Sequence, residues 1–180
     1  MIVEVGSRRA AVLLDELTAR YVGTQKLDRH VRAGQIAVDP LPVRAVVEIK
    51  RQQGGMSPRA LLGAGFAPTD GADVHCIVPV SDDPLSLGRQ AVCRSTLGRP
   101  IVAGLPEEFA IAAADSLGAA ATSLSLPPGI LTVDRAGYDE VESSEHIFAA
   151  AAQLLCHVIH AQLRGLDTEQ IPRELVESWL

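Results

Sequence analysis

The chain has 180 residues, 47% of them apolar, which is the size of one domain with a sizeable core. A formal net charge of −6 and a pI near 5.3 exclude a surface that would hold nucleic acid or an anionic membrane by overall charge, so any RNA contact must be local. Aromatic residues make up only 3%, which leaves Ala, Val, Leu and Ile to fill the core and suits helices packed on a sheet.

From Arg8 to Val22, the residues Ala10, Leu13, Leu14, Leu17 and Tyr21 recur at three and four positions, which predicts an amphipathic helix ended by Gly23. Residues 24–34 read as a polar connection with a short extended piece around Leu27 to Val31. "QIAVDPLP" predicts a short strand and a proline turn. A longer strand follows, with Val43, Ala45, Val47 and Ile49 on one face and Arg44, Glu48 and Lys50 on the other. Gln52 to Gly71 is glycine-rich and carries Pro58 and Pro68, which predicts a long irregular loop or a short helix inside one. Val74, Cys76, Val78 and Val80 alternate along another strand, expected to pair antiparallel with the 43–50 strand, and Pro79 marks an edge or the strand's end. "RQAVCRS" suggests one more short strand.

Pro106 opens a helix that turns Phe109, Ala112, Ala113, Ser116 and Leu117 inward, with Gly118 as its C′ residue. "PPGILTVDRAGY" supplies the fourth core strand, and a last long helix carries the stripe Phe148, Ala152, Leu155, Cys156, Ile159 and Leu163. A short piece, "IPRELVESWL", closes the chain. This order predicts an α+β fold, a largely antiparallel four-stranded sheet with helices on one face.

The residues that could carry chemistry are few. Cys76, Cys93 and Cys156 lie far apart, with no C-x-x-C pair and no zinc spacing, which fits a reduced cytoplasmic compartment. Uninterrupted apolar runs are too short for a signal peptide or a bilayer span, so no membrane is expected as a partner. The sequence has no P-loop, no nucleophile elbow and no H-E-x-x-H helix, and is read as non-enzymatic, without cofactor or metal. Cys156 and His160 have the spacing of half a metal site, but Cys156 belongs to the apolar stripe and no further ligands stand out. The acids Asp139, Glu140, Glu142 and Glu145 read either as a cation site or as capping of the last helix, with Glu142 or Ser143 at its start; capping accounts for the residue types more simply.

The order of those residues carries a second message. "GYDEVESSEHIFAAAA" resembles the end of domain IV in the elongation factor G family, through Tyr138, Val141, Ser143, Ser144, Glu145, Phe148 and Ala149, with Glu142 replacing the usual aspartate. "RQQGG", Arg51 to Gly55, resembles the family's Arg-Gln-x-Gly-Gly segment at the domain's tip, and "GSRRAAVLLDELTARY" resembles the last helix of its domain III. The resemblance implies that residues 1–34 correspond to the end of domain III and 35–180 to a domain IV without its GTPase. The implied fold is similar to the second domain of ribosomal protein S5, with a left-handed crossover. After Gly55 the sequence departs from the family, since "MSPRALLGAGFAPTDG" is longer and more apolar than its tip.

Two functions follow as expectations. The resemblance implies binding to the ribosome or ribosomal RNA through Arg51, Gln52, Gly54, Gly55, Arg59 and Arg99, where cations and open glycine backbone would meet phosphate. Alternatively, Leu61, Leu62 and Phe66 on an exposed loop would bind a protein partner, in an interaction or structural module that has lost RNA binding. A homodimer is left open.

Overall fold

The computed structural model describes residues 1–34, 41–52, 54–81, 92–168 and 171–178. Its strands are β1 (Ile2–Val5), β2 (Arg8–Leu13), β3 (Gly23–Arg32), β4 (Val43–Arg51), β5 (Arg59–Pro68), β6 (Asp73–Ser81), β7 (Val92–Cys93), β8 (Ile101–Ala103) and β9 (Gly129–Tyr138). The α-helices are α1 (Glu107–Ser123), α2 (Glu145–Leu163) and α3 (Ile171–Ser178), and a 3-10 turn spans Leu17–Ala19. The strands form one sheet in the order β1-β2-β4-β5-β9-β6-β3, with β8 beside β9 and β7 beside β8. The pairings are antiparallel except β6 with β9, which run parallel. The α+β class stands; the sheet has nine strands among the described residues rather than four.

Alternation decides which face of each strand meets the helices. Ala45, Val47 and Ile49 of β4, Leu62, Ala64 and Phe66 of β5, Val74, Cys76 and Val78 of β6, and Leu131 and Val133 of β9 form one cluster with the buried sides of α1 and α2. Each fully buried Leu, Ile, Val or Phe contributes about 1.5–3 kcal/mol relative to exposure, so this layer dominates stability. By length and a mean hydropathy of 1.2, α2 matches a bilayer span, yet Phe148, Leu155 and Ile159 are packed in that core. Phe148 stacks on Phe109 of α1 with ring centroids 4.9 Å apart, and Phe109 meets Tyr138 edge-on at 6.0 Å. α3 closes over β1 and β2, where Arg8 Nη1 donates to the Val176 carbonyl at 3.1 Å.

Four expectations are corrected. Arg8 to Val22 is not a helix: a turn at Gly6, φ +59°, folds the chain back so that β2 pairs with β1 and β4, and the ladder overrides the accidental helical spacing. Gln52 to Gly71 is not a long loop, because residues 59–68 form the strand between β4 and β9. That strand is covered on both faces and lacks alternation, and its Gly63 reflects crowding. A Cβ there would stand 2.8 Å from Val46 Cγ2 and 2.9 Å from Arg135 Cβ. β6 does not pair with β4, since β5 and β9 lie between them. Gly118 does not end α1, which runs on to Ser123 with Val31 Cγ1 3.5 Å from where a Cβ would stand.

Of the remaining elements, β6, β9 and α2 appear where alternation or helical spacing places them, and the Leu27 to Val31 piece lies within the longer β3, whereas β1, β8 and the helical form of α3 have no counterpart in the sequence reading. Parallel pairing of β6 with β9 ends at Ile77, short of Pro79, which has no N–H to give. The strand expected in "QIAVDPLP" falls largely on residues 35–40, outside the described residues.

Candidate functional site

The face of the sheet away from α1 and α2 is where charge gathers. Between Gly63 and Ala64 the β5–β9 register slips by one residue, so Asp134 bulges and both Asp134 and Arg135 are turned to this face. Arg44 of β4 grips Asp134 with two bonds, Nη1 to Oδ2 at 3.0 Å and Nη2 to Oδ1 at 2.6 Å. Arg135, 2% exposed, reaches the other way to Asp15, Nε to Oδ1 at 3.1 Å. Burial works against the charge on Asp15, but the Arg135 bond, the Glu16 N–H and the two guanidiniums outweigh it and hold its carboxyl below the usual range. This network ties the segment after β2 down onto β4 and β9.

Nearer the sheet end, two buried charges on adjacent strands hold the loop before β8. Glu48, fully buried, accepts Ser95 Oγ at 2.5 Å and the Thr96 N–H at 2.6 Å. Arg59, 1% exposed, donates from Nη1 to the Arg99 carbonyl at 2.6 Å and from Nη2 to Asp139 Oδ2 at 2.7 Å. Gly98 leaves room for that guanidinium, since a Cβ would come 2.9 Å from Arg59 Nη1.

Asp139 is the centre of this end. Its Oδ2 also takes Arg99 Nη2 at 3.0 Å, while Oδ1 accepts the N–H groups of Val141 at 3.1 Å and Glu142 at 3.2 Å. Burial alone would raise its pKa. The Arg59 guanidinium, those two N–H groups and Arg99 overcome burial and hold the carboxyl far below the usual range. Ser143 Oγ donates to the Arg59 carbonyl at 2.5 Å and accepts the Asp139 N–H at 2.8 Å. The capping account is therefore corrected for Asp139, Glu142 and Ser143. Ser144 is the N-cap residue of α2, without a side-chain bond, and only Glu145 lies in the first turn.

The predicted RNA contacts fall at this one end but differ in what they offer. Arg51 closes β4, partly exposed, and its guanidinium makes no hydrogen bond or ion pair with any described residue. Gln52 and the Gly54–Gly55 turn are exposed, with φ +58° and +86° and open space where Cβ atoms would stand. Arg99, its side chain 66% exposed, lies against Asp139 and approaches Glu142 Oε2 at 3.9 Å. Glu142 Oε1 in turn accepts the Ser57 N–H at 3.3 Å, joining the β4–β5 turn to the acidic turn. Arg59 is corrected from an exposed loop cation to a buried clamp. Leu61, Leu62 and Phe66 are corrected from an exposed partner surface to core residues of β5, at 0%, 0% and 1% exposure.

A cleft of about 400 Å³ adjoins Arg99, between Val92, Val102, Tyr138, Glu140 and Val141. Sequence reading passed over it because its walls come from three separate strand ends. Among the described residues no group of three or more His, Cys, Asp and Glu is placed to hold a metal. Cys76, Cys93 and Cys156 are buried and free; burial pushes the first two thiols up to about 11 and Cys156 higher still, which leaves them poor nucleophiles.

Comparison of the chain with protein-family models, with curated proteins and with solved structures gives no match.

Proposed function

We propose that the chain is a non-enzymatic, translation-factor-like module that binds the ribosome or another RNA–protein surface through the sheet end bearing Arg51, Gln52, Gly54, Gly55 and Arg99. The observation that carries this reading is the convergence at that end of a guanidinium with no partner among the described residues, an open glycine turn and an exposed arginine. Guanidinium groups and unobstructed backbone N–H groups are the donors that phosphate takes. The succession β4, β5, β6, α1, β9, α2, interrupted only by the short strands β7 and β8 before α1, with α1 and α2 packed into one core against the sheet, supports the likeness to elongation factor G domain IV and to the second domain of ribosomal protein S5.

Arg59 has a supporting role in this reading. It fixes the loop bearing Arg99 and, through Ser143 and Asp139, the turn that meets Ser57. The test is cosedimentation with purified ribosomes at about 50 and about 200 mM salt. Binding is expected to weaken steeply with salt, and Arg51→Ala and Arg99→Ala each to lower the logarithmic salt slope by about 1. Absence of cosedimentation at the lower salt would overturn the proposal.

A protein-binding module is the second reading, and the cleft beside Arg99 favours it. Val92 and Val141, 66% and 82% exposed, flank a cavity whose only described charges are Arg99, Asp139 and Glu140. Salt-insensitive ribosome binding lost in Val141→Asp but kept in Arg51→Ala would select this reading.

A further inference from the structure

β3 is the outer strand of the sheet, pairing with β6 through Gly23 to Arg32 and, among the described residues, with no strand on its other side. A ten-residue edge of this kind presents backbone donors and acceptors suited to another strand. Its side chains decide which strand fits. On the outer face stand Lys26, Asp28 and His30, all exposed; Leu27 and Val31 lie toward α1.

From this pattern we infer that the β3 edge pairs antiparallel with β3 of a second copy of this chain, Leu27 opposite Leu27 of the second copy. A two-fold axis normal to the sheet allows only registers in which residues of the same face meet. Centring on Leu27 sets Lys26 opposite Asp28 of the second copy, and Asp28 opposite its Lys26. Moving the centre to Lys26 or to Asp28 brings like charges together, lysine on lysine or aspartate on aspartate. Centring on Arg29 sets arginine against arginine and Lys26 against Arg32. Centring on His30 also sets Asp28 against Arg32 twice but puts histidine on histidine between them and leaves Lys26 outside the paired strands, so the Leu27 register alone combines two opposite-charge contacts with an apolar pair.

The neighbouring groups are compatible with this pairing. Lys26 makes no hydrogen bond or ion pair with any described residue. Asp28 uses Oδ1 for His75 Nε2 at 2.9 Å, and a carboxylate has capacity for a further donor. Arg29 is held by Asp115 of α1 at 2.7 Å. On α1, Ile111, Asp115, Ala119 and Thr122 are exposed at helical spacing, leaving small and apolar groups near the seam.

The experiment is sedimentation velocity on the full chain over a concentration series, with charge-reversal variants. The unmodified chain is expected to dimerise. Lys26→Glu and Asp28→Lys should each weaken the dimer on the order of tenfold or more, since each creates two like-charge contacts. An equimolar mixture of the two variants should restore it, because Glu and Lys then meet at one contact and Asp28 and Lys26 at the other. A monomeric parent chain, or single variants that dimerise as well as the parent, overturns the inference. Melting curves confirm folding; if Asp28→Lys unfolds, Lys26→Glu alone decides, Lys26 touching no described partner.

Discussion

Arg59→Ala is expected to lower stability by about 3–5 kcal/mol, the cost of stranding a buried carboxylate without its partner. The loss exceeds that of a surface pair because Arg59 and Asp139 are both out of water, at 1% and 7% exposure. Arg99→Ala removes a cation from the same carboxylate and should cost about 1 kcal/mol or less, its side chain being 66% exposed. Urea denaturation at neutral pH separates the two variants, and equal midpoints for them would contradict the clamp.

The same pair sets an acid limit. Asp139 is held below its ordinary pKa in the folded chain, so its stabilisation is complete above the unfolded value of about 3.9 and is lost as pH falls below it. Asp139→Asn should therefore be less stable at neutral pH and show a shallower decline between about pH 5 and pH 2. A decline as steep as the parent's would assign the acid limit to other carboxylates.

Phe148→Ala should cost about 3–5 kcal/mol, through lost burial and the cavity left behind. The side chain is fully buried and stacks on Phe109, so it joins α2 to α1 as well as to the sheet. Phe109→Ala should cost less, Phe109 being only partly buried. Thermal melting read by circular dichroism tests the order. If Phe109→Ala were the more damaging change, α1 rather than α2 would be the principal cover of the sheet.

How much of this was legible depends on how far each element's reason lies along the chain. β9 and α2 carry their signals locally, as alternation and a stripe, and are found where they were expected. β2 misleads because Ala10, Leu13 and Leu17 have helical spacing, and only pairing with β4 reveals a strand. β5 misleads for the opposite reason. Glycine usually marks a turn, but Gly63 is dictated by Val46 and Arg135, whose proximity is a tertiary fact. The neighbours of Asp139 point to a cap, whereas its main partner lies 80 residues upstream. Local patterns thus reported burial, and they could not report which strand or charge lies across the fold.

The bulge at Asp134 bears on which changes in chain length the fold can absorb. Val133 faces Ala64 and Arg135 faces Gly63, so the residue between them has no place in the ladder. Deleting it would leave every other β5–β9 partner in step and every core side chain on its own face. Deleting Val133 or Ala136 would also absorb the bulge, but it would set Asp134 or Arg135 in the vacated core position and bury a charge there. Loss of residue 134 should cost little beyond the bonds to Arg44 and Arg135, while loss of either neighbour in the core should abolish folding; the melting curves of the deletions would distinguish them. The middle of β9, a strand paired with β5, β6 and β8, thus holds a position where the chain can be shortened.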